Sequence, residues 1–312
     1  MHPAAIAESI VGKAAVESAS SSSMRVHTAL VCCSAALLAF CVLAAPKGAM
    51  KEALPLLLTA ALLTGPLLVP AAMLHERKKW DRRDAILTLP WVLVIALLIV
   101  QAALTTATFA FPLKDGLWRS LDGHLGINIP AIMALAARYP AAKTLLFDAY
   151  AFSLDPLILC AIFLPVLFGK REVAQRFVLV NAFGFVLALP LMLFLPAVGP
   201  WVGWSFPPDK LQQSCEATIY ALRQGSLTIK NSFGGIVCLP SFHVFWAVVS
   251  AHALYSFRFL RYPAALVAAL ITISTMTTGW HYGVDVIAGL LMMAVCTVLA
   301  EAIIGGRFRF PL

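Results

Sequence analysis

This chain is short of charge. Only 12% of its 312 residues are Asp, Glu, Lys or Arg, while 61% are hydrophobic. Soluble domains carry about a quarter charged residues and about half apolar ones. No polar block here is long enough to be a soluble domain, so the composition points to a polytopic membrane protein. Acidic residues are the scarcer sign, and the formal net charge is +8. No basic face or nucleic-acid motif accompanies that excess, so we read no nucleic-acid partner. The chain also lacks any CxxC or Cys/His cluster with metal-ligand spacing, and neither a metal nor a cofactor is expected. Cys32, Cys33, Cys41, Cys160 and Cys296 lie in apolar runs, where cysteine acts as a small hydrophobe. Cys215 and Cys238 share a polar loop and form either a disulfide or two thiols. No apolar run precedes residue 28, which argues against a cleaved signal peptide. Residues 1–26 are small, polar and Ser-rich. They read as a disordered cytoplasmic tail, with Met24 as an alternative start. No internal repeat is visible.

What is present is a series of apolar segments, at about 28–45, 54–74, 86–111, 145–168, 177–198, 241–257, 263–280 and 284–304. A helix needs roughly 20 residues to cross the hydrocarbon. The expected fold is therefore all-α, one transmembrane helical bundle over 27–309 with about eight spans. Loop charge tests this arrangement. Arg77, Lys78, Lys79, Arg82 and Arg83 fall in one short loop, Lys170, Arg171 and Arg176 in another, and Arg258 and Arg261 in a third. Eight alternating spans place these loops and both termini on one side, with 14 of the 23 Lys and Arg residues. The positive-inside rule makes that side cytoplasmic. The outer side then receives loops 112–144 and 199–240. Within the first, Ile127 to Ala137 is apolar around Pro130 and reads as a surface-lying or re-entrant helix.

Two histidines stand out. His243 follows Leu239-Pro240-Ser241-Phe242, and His281 lies in Gly279-Trp280-His281-Tyr282-Gly283-Val284-Asp285. The apolar stretch between them is long enough to cross a bilayer and return, so both end on the outer side. His243 to Phe257 is 14 steps, or roughly 21 Å of helix at 1.5 Å per residue. That is short of the roughly 30 Å hydrocarbon thickness, which sets both histidines at headgroup depth. Asp285 is one helical turn beyond His281 and on its face. A carboxylate on one ring nitrogen fixes the tautomer and makes the other nitrogen a better nucleophile. Pro240 and Ser241 open the sixth span, and the free N–H groups of such a turn suit an anion. A helix cap with an incidental histidine, and a structural His–Asp pair, are the bland readings of the same residues. Ionisable groups near a span are costly unless paired, which favours function.

Taken together, Pro240-Ser241-Phe242-His243 and His281-Tyr282-Gly283-Val284-Asp285 resemble the last two signature motifs of the phosphatidic acid phosphatase type 2 superfamily. Leu121-Asp122, Leu125-Gly126 and the Phe194 to Pro200 segment resemble bacterial members, and the likeness covers roughly 110–305. Phe242 stands where Gly is common, which points to the inositolphosphotransferase-like branch related to aureobasidin-resistance proteins and sphingolipid synthases. The resemblance implies a catalytic core in the last five or six helices. It makes His281 the nucleophile that forms a phosphohistidine, Asp285 its orienting group, and His243 the acid and then the base. Ser241 would bind phosphate oxygens. The implied substrate is a lipid phosphate or phospholipid among the membrane lipids, met at the periplasmic side of a bacterial inner membrane. Headgroup transfer is the alternative to hydrolysis. Two features depart from the family. Ser274-Thr275 stands where Ser-Arg is common, and no Lys-x6-Arg-Pro motif is present. A transferring phosphoryl group still needs cations. Arg223 and Lys230, ahead of Pro240, are the candidates, with Lys210 behind them. A transporter with helices broken near Asp148 and Asp155 is one rival, and an inactive scaffold is another.

Overall fold

The computed structural model describes residues 3–44, 80–225 and 235–305, and every helix and strand assignment among them is helical. In chain order the helices are α1 (Pro3–Ala44), α2 (Trp80–Ile86), α3 (Thr88–Thr108), α4 (Asp115–His124) and α5 (Ile129–Ala137). Then come α6 (Pro140–Phe152), α7 (Leu154–Leu167), α8 (Arg171–Phe194) and α9 (Pro200–Gly203). The last four are α10 (Lys210–Arg223), α11 (Phe242–Leu254), α12 (Arg261–Thr277) and α13 (Gly283–Ile304).

Four stretches are long and apolar enough to cross a membrane: Ser21–Ala44 within α1, Asp81–Thr108 across α2 and α3, α8 and α13. The α6–α7 pair passes the same test together but is bent by 47°, with Ser153 between the two helices. These helices make the chain an integral membrane protein. The expected segment 54–74 lies outside the described residues. The two expected spans that carry the histidine motifs are short, with 13 residues in α11 and 17 in α12. Thirteen residues rise only about 20 Å, less than the roughly 30 Å thickness of the hydrocarbon. Where a disordered tail is expected over 1–26, α1 runs from Pro3. Ser22, Ser23 and Val26 are buried, and the Ser22 hydroxyl donates to the Ile304 carbonyl at 2.9 Å. The packed part of this helix thus begins inside that expected tail, where Ser22 finds a partner on the end of α13.

α8 runs at the centre, packed on α1, α3, α7 and α13, while α11 packs on α7, α12 and α13. One apolar core joins them, with Leu179, Phe185, Phe245, Leu254, Ile271 and Cys296 among its members. At one end of the bundle the basic residues gather. Arg171 reaches Asp81 and Asp84, Lys170 donates to the Ser256 carbonyl, and Arg176 pairs with Glu301. The histidine motifs sit at the other end of the same helices.

Gly289 holds α13 against α11. A Cβ there would lie 2.7 Å from the Ser241 carbonyl oxygen and 3.4 Å from the Val244 Cβ. Backbone cannot yield as a flexible side chain does, so Gly289→Ala is expected to destabilise by about 1–3 kcal/mol through overpacking. A thermal melt of the protein in detergent tests this. An unchanged midpoint would mean that the two helices are not held this closely.

Candidate active site

The site grows from three local arrangements. Ser241 is the N-cap of α11, its hydroxyl accepting from Val244 N at 3.4 Å, and the Leu239–Pro240 peptide before it is cis. Ser241 N donates to the Asp285 carbonyl at 3.1 Å, so the start of α11 is bonded to the first turn of α13. Tyr282 is the N-cap of α13, and Asp285 in the third helical position accepts from Tyr282 N at 2.9 Å. This cap uses a carboxylate where N-terminal N–H groups favour negative charge.

The third arrangement comes from α4. Asp122 is fully buried, and its two carboxylate oxygens accept from Gly283 N and Val284 N, each at 2.9 Å. Burial pushes the Asp122 carboxyl above its ordinary value, against these two bonds, and the nearby Asp285 charge adds to the rise. A Cβ on Gly283 would meet Ile127 at 2.4 Å and Asp122 at 3.2 Å, so the glycine of the second motif is what lets α4 approach. Asp115, two turns earlier on α4, accepts from Val198 N and Gly199 N at 2.9–3.1 Å. The Tyr282 hydroxyl lies 3.0 Å from Asp115 Oδ1 and 2.9 Å from the Gly199 carbonyl. Asp115 and Asp122 therefore hold the second histidine motif from behind. Sequence reading did not single them out as site residues. The signal was there, since 115, 118 and 122 share one face of a helix and all three are buried. Loss of the buried acceptor in Asp122→Ala is expected to cost about 1–3 kcal/mol by stranding two N–H groups. Activity should fall with it, as the His281 turn loses its anchor. A urea or thermal titration alongside a turnover assay tests both. Unchanged stability would remove Asp122 from the supporting structure.

These anchors bring the two histidines together. The rings of His243 and His281 have centroids 5.8 Å apart. His281 is buried, and its Nδ1 lies 3.1 Å from the Cys238 carbonyl and 3.4 Å from Asp285 Oδ2. With the proton on Nδ1, that nitrogen is a donor toward both oxygens, and Nε2 keeps its lone pair. His281 Nδ1 is thus shared between the Asp285 carboxylate and a backbone carbonyl. Tyr150 of α6 stacks on His243 with centroids 4.5 Å apart, and Trp280 lies 6.2 Å beyond it. The Cys238 thiol donates to Asp285 Oδ2 at 3.0 Å. No disulfide joins Cys215 and Cys238. Cys238 Sγ, a His281 ring nitrogen and an Asp285 oxygen all lie within 4.8 Å of one another, close enough to serve as metal ligands.

Both histidines face a cavity of about 160 Å³. Its walls include Ile99, Ala103 and Leu104 of α3, Phe242 and Trp246 of α11, and residues 235–238. No Lys or Arg lines it among the described residues. Arg223 donates to the Phe111 carbonyl at 2.7 Å and faces a smaller cavity of about 20 Å³. Residues Ile236, Val237 and Cys238 form a wall common to both cavities. Lys230 lies outside the described residues. Lys210 is exposed at the start of α10. The Ser241 hydroxyl is fully buried in its capping role and does not line the histidine cavity. Thr275, where the family commonly has Arg, is buried with its hydroxyl on the Thr272 carbonyl. His124 is exposed on α4, and His252 lies toward the other end, near Arg176 and Glu301.

The arrangement is a pair of imidazoles facing one apolar cavity, with a carboxylate behind one of them. It suits covalent or acid–base chemistry. A profile described as the PAP2 superfamily matches residues 117–299. The chain belongs to the PAP2 superfamily. Membership suggests phosphatase or phosphotransferase activity and a lipid phosphate substrate in a membrane. Neither a curated protein nor a solved structure matches the chain.

Proposed function

We propose that this protein is a membrane-embedded lipid phosphate phosphatase that works through a phosphohistidine on His281. One observation carries the reading: two imidazoles 5.8 Å apart at a common apolar cavity, one of them backed by a buried carboxylate. In-line displacement needs a nucleophile and an acid on opposite sides of one phosphorus, and facing rings at this separation supply both. His281 Nε2 attacks phosphorus, and His243 protonates the departing lipid oxygen. His243 then takes a proton from water as it attacks the phosphohistidine, and the N–P bond breaks. Asp285 holds His281 in the right tautomer and stabilises the positive ring that forms.

Phosphate oxygens still need positive charge. Arg223 and Lys230 remain the proposed cations. Arg223 is one shared wall away from the histidines, and Lys230 precedes Gly235 of the cavity wall by five residues. Ser241 contributes through the N-terminal turn of α11, which favours anions. The expected topology places the basic end of the bundle and both termini in the cytoplasm, with about eight spans. The histidine end then faces the periplasm of a bacterial inner membrane.

A second reading is headgroup transfer of the inositolphosphotransferase or sphingolipid-synthase kind. Phe242 favours it, because it and Trp246 turn the cavity wall aromatic at 5.1 Å centroid separation. Such a wall keeps water from the phosphoenzyme and leaves room for a lipid alcohol. The two readings share the first half-reaction and differ in the acceptor.

Purified protein with a panel of lipid phosphates and phosphatidylinositol, with and without lipid alcohols, separates them by mass spectrometry. Free phosphate that His281→Ala does not release supports hydrolysis. A new phosphodiester lipid supports transfer. Identical product traces from both proteins across the panel would reject both readings in favour of transport or an inactive scaffold.

A further inference from the structure

We propose that Cys238, His281 and Asp285 form a binding site for a thiophilic divalent cation such as Zn2+, and that the ion switches His281 off. A thiolate, an imidazole nitrogen and a carboxylate oxygen are a ligand set that Zn2+ accepts, with a fourth position left open. Here the three donor atoms lie within 4.8 Å of one another, on three residues that are all buried. The set is invisible in the spacing of the sequence, because Cys238 is 43 residues from His281. The strand of backbone before α11 carries it to the first turn of α13.

Two further observations point to a ligand. Asp285 Oδ1 is buried and has no hydrogen-bond partner, so acceptor capacity is left over on a carboxylate that is 0% exposed. Cys238 and His281 both line the 160 Å³ cavity, which gives an ion a route to them. The thiol proton now lies between Cys238 Sγ and Asp285 Oδ2, which are 3.0 Å apart. A divalent ion that replaces this proton meets two ligands at once.

The protons balance as follows. Cys238 gives up its thiol proton to solvent and binds as thiolate, and Asp285 binds as carboxylate. His281 binds through Nδ1, and the proton it carried there moves to Nε2. The two anionic ligands neutralise the ion's two charges. Nε2–H has no lone pair for phosphorus, so occupancy of the site removes the nucleophile without blocking the cavity. The inhibition rests on the phosphohistidine reading, whereas the binding of the ion does not.

The test titrates metal-free, full-length protein in detergent with Cd2+ alone and follows the ultraviolet thiolate-to-cadmium band. The expected result is a band that saturates at one ion per chain and is displaced by Zn2+. Cys238→Ser keeps a hydroxyl donor toward Asp285, and in it the band should vanish and affinity fall at least ~100-fold, beyond the loss of an outer-shell partner. Asp285→Asn should weaken binding in the same direction. No saturable band in the wild type, or a band in Cys238→Ser or Cys238→Ala as strong as the wild type's, overturns the site. Phosphate release measured in parallel should fall with Zn2+ occupancy in the wild type. Zinc-resistant turnover at full occupancy overturns the inhibition. A saturable band in a protein that turns over no lipid phosphate keeps the site and removes the phosphatase reading instead.

Discussion

His281→Ala is expected to lose at least ~1,000-fold in phosphate release, because a nucleophile and its partners act as a unit. The wild type, quenched during turnover, should carry an acid-labile phosphoryl group on His281. The geometry explains why this residue and not its neighbour should be labelled. His281 has its Nδ1 facing the Cys238 carbonyl at 3.1 Å and Asp285 at 3.4 Å, which leaves the lone pair on its other nitrogen. His243 has no carboxylate partner among the described residues and lies under Tyr150 instead. Asp285→Asn should retain the fold and lose ~10–10,000-fold, as exchange of the carboxylate for an amide disturbs the tautomer. A label found on His243, or full activity in His281→Ala, would reverse the assignment or end it.

The second large effect concerns His243. Its removal should slow cleavage of a lipid phosphate by ~100–10,000-fold, the range of general acid–base catalysis. The loss should depend on the leaving group. An alkoxide needs a proton as it departs, while an aryl phosphate with an acidic phenol does not. His243→Gln should therefore still be phosphorylated by the aryl ester, and the phosphohistidine should accumulate because no base activates water. Rapid-quench measurement of the phosphoenzyme with both substrates tests this. Equal slowing on both, with no accumulation, would place His243 outside proton transfer.

Much of the molecule is legible from residue types. Scarce charge and long apolar runs required a membrane bundle, since few other environments accept such a chain. Of the expected interruptions at Asp148, Asp155 and Pro156, the first lies within α6 and the other two within the first turn of α7, and the break itself falls at Ser153. Pro130 correctly marked a short helix in the loop 112–144, now α5. Span lengths were less legible. Hydropathy alone extends through Phe257 and Trp280, but α11 ends at Leu254 and α12 at Thr277. A hydropathy run does not register where a chain turns to present a side chain.

The supporting residues were harder still. Asp122 lies 159 positions before His281, and nothing local says that its oxygens will cap α13 at Gly283 and Val284. Tyr150 was read as part of an apolar span, and its place over His243 depends on the bend between α6 and α7. Ser241 was legible as the start of a helix, and the folded chain uses its hydroxyl as the buried cap of α11.

Composition and motif spacing were enough for a helical membrane protein and for an expected site at His243, His281 and Asp285. Those properties follow from hydrophobicity, helical period and chain length, which act along the sequence. Only tertiary packing decided that the two rings meet across one apolar cavity and that Arg223 turns to a neighbouring one. It also decided that Cys238 joins His281 and Asp285. Such contacts depend on how closely helices approach, and the absent side chains of Gly283 and Gly289 set that approach.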